Sequence, residues 1–307
     1  MNWLILVLIA TIIDAVRIFI DNYTSDVYFK GKHAVALTLL AGYTDIIVAL
    51  ILLPIINFDF QNADLSTIGL ILGAGAISGL SVIPYFKALE IEDSTNIGIF
   101  LQLAPIFYLV FGWLFLGETI SLAQFIAFII ILSASFLIVL SARKKSRHTK
   151  IRAALYVLIY VIIAVIGNLI FVKTANDGFG FFEGMTFVLI GKGIVHILTV
   201  WAVPKWHKRF YSVIKSSKGK ALRPMLINQV INVIKTFTYR AALVIAPAVA
   251  LASAASDSTE PIVIFFMGII LTIIWPKFGR EKLDKKTVLA HLAATILVVI
   301  GVVLIQF

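Results

Sequence analysis

Cysteine is absent from this 307-residue chain, which excludes disulfides and thiol chemistry and leaves the redox compartment open. Charge is scarce as well. Asp, Glu, Lys and Arg make up 14% of the residues against 61% hydrophobic, and the mean hydropathy is +1.03. A soluble domain carries roughly a quarter charged residues, so water is a poor solvent for this composition and a bilayer a good one. Acids are fewer than bases, 16 against 26, for a net charge of +10. Taken alone that excess suggests nucleic acid; its distribution along the chain argues for lipid instead. Also missing are a phosphate-binding glycine-rich loop, a nucleophile elbow and a metal-ligand spacing among the five histidines. ATP-driven pumping, hydrolysis, a metal centre and a cofactor therefore find no sequence support.

What the chain has in abundance is long apolar runs. About 20 such residues cross a hydrocarbon core as a helix, and backbone polar groups leave no alternative for lipid-facing segments here. Ten stretches qualify: 3–20, 34–56, 67–87, 95–116, 121–142, 153–174, 181–203, 225–246, 249–275 and 287–307. The expected fold is thus an all-α polytopic membrane protein. Asp14 and Arg17 inside the first stretch, with no basic segment before it, argue against a cleaved signal peptide. Lys and Arg collect in alternate connections: two in "FKGK", Lys87, six in "RKKSRHTKIR", seven in 204–224 and five in "KFGREKLDKK". "NFDFQNADLS" and "LGETIS" have none. Basic loops are cytoplasmic, so both termini are expected outside and the basic blocks against anionic lipid headgroups. The longest connection, 204–224, reads as a basic surface loop. A glycosylation sequon at 22–24 falls on the inner side and is discounted.

The two halves echo one another. "YFKALEIEDSTNIGIFLQLAPIFYLVFGWLFLGETIS" from Tyr85 aligns with the stretch from Tyr239 that runs through "SDSTEPIVIFFMG" to "KFGREKLDK". Ala88 and Leu89 lie opposite Ala242 and Leu243, Pro105 opposite Pro261, and Gly117 and Glu118 opposite Gly279 and Glu281. Five helices per half make the repeats enter the membrane in opposite senses, an inverted-topology repeat. The expected division is 1–142, a linker at 143–152, and 153–307. With its "AL" closing the third helix, its proline in the fourth, then "LGETIS" and "HLAATILVVIGVVLI", the chain resembles EamA-type members of the drug/metabolite transporter superfamily. The resemblance implies a ten-helix secondary transporter with a cavity between helices 1–4 and 6–9 and with helices 5 and 10 peripheral. The Trp-Gly common in the family's first helix is replaced by "IDAVR".

Ionisable residues inside a bilayer cost a few kcal/mol and normally face a cavity or a partner. Near the span midpoints stand Asp14, Asp45, Lys192, Lys235 and Glu260, with Arg17, His196, Arg240 and Asp257 within a turn or so. These are the candidate substrate-binding or coupling groups. Gln102, Asn168, Asn232 and Tyr239 are candidate polar lining, alongside Asn228 and Gln229. Each has a structural alternative. Asp14 and Arg17 either neutralise one another or face solute, Lys235 and Glu260 either form a structural ion pair or a working one, and His196 is either a core histidine or a proton carrier. Pro105 and Pro261 are expected to kink their helices and expose a carbonyl. The small residues Ala250, Ala252, Ser253, Ala254, Ala255, Ser256, Ser258 and Thr259 around Asp257 suggest a face turned to the cavity, with Glu260 as the leading coupling acid and Asp257 secondary.

Together these features favour a secondary transporter for a small polar organic solute, driven by protons or by exchange. An anion exchanger clamping a phosphorylated or carboxylated solute with Lys192, Lys235 and Arg240 is the alternative within transport. A non-transporting sensor or assembly partner lacks surface outside the bilayer, and a membrane enzyme lacks a catalytic constellation. Substrate and oligomeric state are not legible in the sequence.

Overall fold

The computed structural model describes residues 2–24, 27–28, 35–56, 64–92, 100–142, 151–274 and 285–305. Most of the 143–152 linker and the aligned Gly279 and Glu281 therefore lie outside the described residues. Among the described residues the chain is helical: α1 Trp3–Thr24, α2 Val35–Ile55, α3 Leu65–Leu80, α4 Val82–Ile91, α5 Ala104–Leu116, α6 Leu122–Ala142, α7 Ile151–Asn176, α8 Phe181–Ala202, α9 Pro204–Ser216, α10 Leu222–Ile245, α11 Val249–Ile274 and α12 Lys285–Leu304. Seven segments are long and apolar enough to cross a membrane, one of them Leu65–Leu89, which runs through α3 and α4. Two apolar helices are shorter, Ala104–Leu116 and Val288–Leu304. By length α10 also suffices, but Arg223, Lys235 and Arg240 dilute its apolar character.

Local chemistry explains where these helices start and stop. Pro84 has no N–H to give the Leu80 carbonyl, and there the third span breaks into α3 and α4 around Ser81, whose Oγ turns back to the Ser78 carbonyl at 2.6 Å. Ser121 and Gln124 form a capping box at α6, Ser121 N–H to Gln124 Oε1 at 3.0 Å and Gln124 N–H to Ser121 Oγ at 3.1 Å. Asp64 caps α3 by accepting from the N–H groups of Ser66 and Thr67. The Thr67 and Ser66 hydroxyls, then the Ser66 N–H, hold its exposed carboxyl down to about 2.

Two expectations are corrected. Pro105 does not kink a continuous span: helix α5 begins at Ala104 with proline in its first turn, where the missing N–H would have had no helical partner anyway. Pro261, by contrast, lies inside α11 and removes the intrahelical donor of the Asp257 carbonyl. The 204–224 connection is not a loop throughout, since α9 occupies Pro204–Ser216. It starts on Pro204 and ends in a Schellman closure. Gly219 N–H reaches the Ile214 carbonyl at 3.0 Å and Lys218 N–H the Lys215 carbonyl at 3.1 Å, with Lys218 at φ 50° and Gly219 at φ 77°.

The chain forms two compact units, each drawn from both halves of the sequence: Met1–Ala15 with Lys87–Ile162 and Thr238–Phe307, and Val16–Phe86 with Ile163–Phe237. In the first unit α6 packs on α12 and both meet α11. Its core joins Ala134 and Ile138 to Ile262, Ala294 and Val298, and His291 stacks on Phe265 with centroids 4.0 Å apart. In the second, α8 lies against α2 and α3. A Cβ on Gly191 would run into the Leu72 carbonyl, one on Gly75 into the Val188 carbonyl, and one on Gly42 would meet the Gly193 carbonyl at 2.9 Å. Small residues let membrane helices approach this closely.

Candidate functional site

Antiparallel α2 and α8 pair Leu39 with Val200 at one end of their contact and Gly42 with Gly193 farther in. One turn beyond Gly42 stands Asp45, 1% exposed. Its Oδ2 lies 3.3 Å from Lys192 Nζ and 3.7 Å from His196 Nδ1. Lys192 and His196 share a face of α8 by their spacing of four, and His196 is only 5% exposed. The three groups are therefore brought together across two helices. Both separations exceed the roughly 2.7–2.9 Å of a tight charge-assisted hydrogen bond, so this is a loose electrostatic cluster. The buried carboxylate and the half-buried ammonium still need one another: desolvation costs up to several kcal/mol per ion, and removing one partner strands the other.

The same unit holds a second polar chain. Arg17 donates from Nη1 to Asp21 Oδ2 at 2.7 Å, and Asn228 donates from Nδ2 to Asp21 Oδ1 at 2.6 Å. Asp21, one turn after Arg17 at a spacing of four that puts the two side chains side by side, was missed as a site residue. Asn168 is half-buried on α7, next to Gly167, where a Cβ would strike Ser78 Oγ. Lys235 and Asn232 are half-buried on α10, and the Asn232 carbonyl accepts from Thr236 Oγ1 at 2.8 Å.

In the other unit hydroxyls gather around Asp257, alongside further ionisable groups. Tyr239 on α10 shares hydrogen bonds with Tyr108 on α5 and Ser253 on α11 and feels the charge of Asp257, to which Ser253 Oγ donates at 3.3 Å. Glu260 is half-buried one turn further along α11, Asp14 and Arg240 are buried, and Gln102 is half-buried. The Gln102 Oε1 atom itself is buried and accepts no hydrogen bond from the described residues. The small-residue face of α11 is in part a packing surface: Ser258 Oγ sits 2.6 Å from Ser135 Oγ and donates to the Ile131 carbonyl at 2.8 Å, both on α6.

Glu118 of "LGETIS" anchors this acid-bearing helix. Its Oε1 and Oε2 accept from the Val249 N–H at 3.2 and 3.0 Å, the first residue of α11, where the helix dipole favours a carboxylate. Room for it comes from Gly112, whose Cβ would lie 2.7 Å from Glu118 Oε2, and from the left-handed turn at Gly117, φ 68°. Burial raises the carboxyl above its usual range, and the Val249 N–H partly offsets that.

Residues 1–140 match the model of the EamA-like transporter family, part of the drug/metabolite transporter superfamily. None of the curated proteins matches the chain in sequence. One solved crystal structure, 14% identical, superposes with a TM-score of 0.64 over 98% of this chain and 94% of its own; at that identity the likeness shows the fold alone.

Proposed function

From the match of residues 1–140 to the model of the EamA-like transporter family, we propose that the chain is a secondary active transporter of a small polar organic metabolite, working by alternating access with proton coupling or exchange. Ten spans arranged as two inverted five-helix repeats, 1–142 and 153–307 about the basic 143–152 linker, are part of this reading, with both termini extracytoplasmic. In support, the seven apolar helices sit among a residue pattern that repeats in order along the two halves.

The observation that carries the reading is the Asp45–Lys192–His196 cluster within apolar helices. An acid, an ammonium and an imidazole held loosely in a low-dielectric setting have a use in binding a polar solute or a proton, and little use as packing. Asp257 with Ser253 and Tyr239 supplies hydrogen-bonding groups in the other unit, and Glu260 remains a coupling acid to test beside Asp45. The anion-exchange alternative has less support, because Lys192 already faces a carboxylate.

Purified protein in liposomes, offered a panel of small amino, carboxylic and hydroxylated metabolites under proton and exchange gradients, tests the proposal. Uptake of at least one solute class, reduced by more than tenfold in Asp45→Asn, is expected. No uptake of any solute by well-folded protein contradicts it.

A further inference from the structure

The densest single-sign charge in the described residues lies at 204–224, with seven Lys and Arg and no acid. Its helix α9 has two dissimilar sides. Phe210 and Val213 are buried against Leu39 and Leu40 of α2, Val200 of α8, and Ala221 and Met225 at the start of α10, with Trp206 and Ile214 half-buried beside them. Lys205, Lys208 and Lys215 are exposed.

The neighbouring end of α8 says what lies outside that cationic side. Ile194, Leu198 and Trp201 form an exposed stripe on α8, Trp201 being 47% exposed, at a spacing that keeps them on one helix face. Trp201 stacks on the His207 ring of α9 with centroids 5.2 Å apart and interplanar angle 24°. It also meets the edge of Tyr211, 50% exposed, and donates from Nε1 to the Tyr43 hydroxyl at 3.3 Å. An apolar stripe ending in Trp and Tyr marks the level where hydrocarbon meets headgroups, and α9 begins two residues past the end of that span.

We propose that α9 is a docking helix for anionic phospholipid, with Lys205, Lys208 and Lys215 taking headgroup phosphate and Trp201 and Tyr211 lying at the acyl–headgroup boundary. An acidic protein segment would satisfy the lysines, but it would leave unexplained why the aromatic group continues the apolar stripe of α8. The consequence reaches inward. Because the apolar side of α9 rests on α2 and α8, which carry Asp45, Lys192 and His196, phosphate that relieves repulsion among the α9 cations also steadies the packing of those helices. The inference holds whether or not the chain proves to be a transporter.

The test uses the full chain in nanodiscs of phosphatidylcholine, with and without phosphatidylglycerol, reading the unfolding temperature and, by native mass spectrometry, the number of retained lipids. The variants are Lys205→Gln/Lys208→Gln/Lys215→Gln and, as an equal-charge control, Lys144→Gln/Lys145→Gln/Arg147→Gln in the linker. Phosphatidylglycerol should stabilise wild type and the linker variant alike. In the α9 variant the stabilisation should require at least tenfold more phosphatidylglycerol, since each cation at an anionic surface contributes roughly a fivefold factor. The proposal is overturned by equal losses in the two variants, by inorganic phosphate reproducing the shift in phosphatidylcholine discs, by an absence of any phosphatidylglycerol effect, or by polyglutamate binding α9 in place of the lipid.

Discussion

Two polar sites, one in each unit, handle polar chemistry among apolar helices in different ways. Around Asp45 the groups are charged, the distances are long, and the surrounding helices are pressed together at glycines. Around Tyr239 the groups are mostly hydroxyls linked by hydrogen bonds to one acid, on a helix interrupted by Pro261 and tethered at its start by Glu118. Charge needs a rigid frame, because a displaced counter-ion leaves a buried ion uncompensated. Hydroxyls tolerate movement, since a broken hydrogen bond costs only about 1 kcal/mol net.

Breaking the charged cluster should have the largest effect. Asp45→Ala leaves the half-buried Lys192 without its carboxylate and should cost about 3 kcal/mol of stability, the low end for a buried pair because Lys192 keeps some exposure, measured by thermal or denaturant unfolding in detergent. Asp45→Ala combined with Lys192→Met should recover much of that loss, because both charges leave together. No recovery would mean that the two residues do not interact as a pair.

Next comes the frame. Gly191→Ala places a methyl against the Leu72 carbonyl and should destabilise by about 1–3 kcal/mol. Gly69→Ala and Gly73→Ala, where a Cβ meets nothing within 4 Å, should be neutral or slightly stabilising, since alanine is the better helix former. Equal effects at all three glycines would remove the distinction between the close-packed and open faces of these helices.

Smaller still is Tyr239→Phe, which loses its hydrogen bonds with Tyr108 and Ser253 and should cost about 0.5–1.5 kcal/mol. A loss as large as that of Asp45→Ala would make the hydroxyl network as rigid as the charged cluster and erase the comparison. The smallest effect belongs to Glu118. Burial raises its folded-state pKa, so the proton is bound more tightly folded than unfolded. The associated stability is fully present below the ordinary glutamate range and is lost as pH rises through the raised folded value. Glu118→Gln should flatten that part of the pH–stability profile by less than about 1 kcal/mol, the carboxyl being partly exposed and screened. A profile unchanged by the substitution would remove Glu118 as a titrating contributor.

How much of this was legible in the sequence depended on whether a signal was local. Seven span positions were, because apolar runs need only composition. Lys192 and His196 sharing a face was legible from spacing four, but their carboxylate was not, since choosing Asp45 requires knowing that α2 and α8 run antiparallel and touch at Gly42 and Gly193. Asp21, which pairs with Arg17 at 2.7 Å, was passed over because it lies near the end of its span and not near the midpoint. In 204–224 the density of cations concealed an apolar edge at Trp206, Phe210, Val213 and Ile214 whose three- and four-residue spacing is helical. Pro105 was read as a kink because the run 95–116 was taken as one span, although proline is equally at home in a first turn.

The central claim is that Asp45 works as a substrate-binding or coupling acid, and solute uptake by Asp45→Asn in proteoliposomes tests it most directly. The asparagine keeps the shape of the side chain, and folding is checked by the helical circular dichroism and elution of the reconstituted protein. The account predicts wild-type protein that accumulates at least one small polar metabolite and a folded Asp45→Asn variant whose uptake falls more than tenfold. A folded Asp45→Asn variant that transports at the wild-type rate with the same pH profile would contradict it.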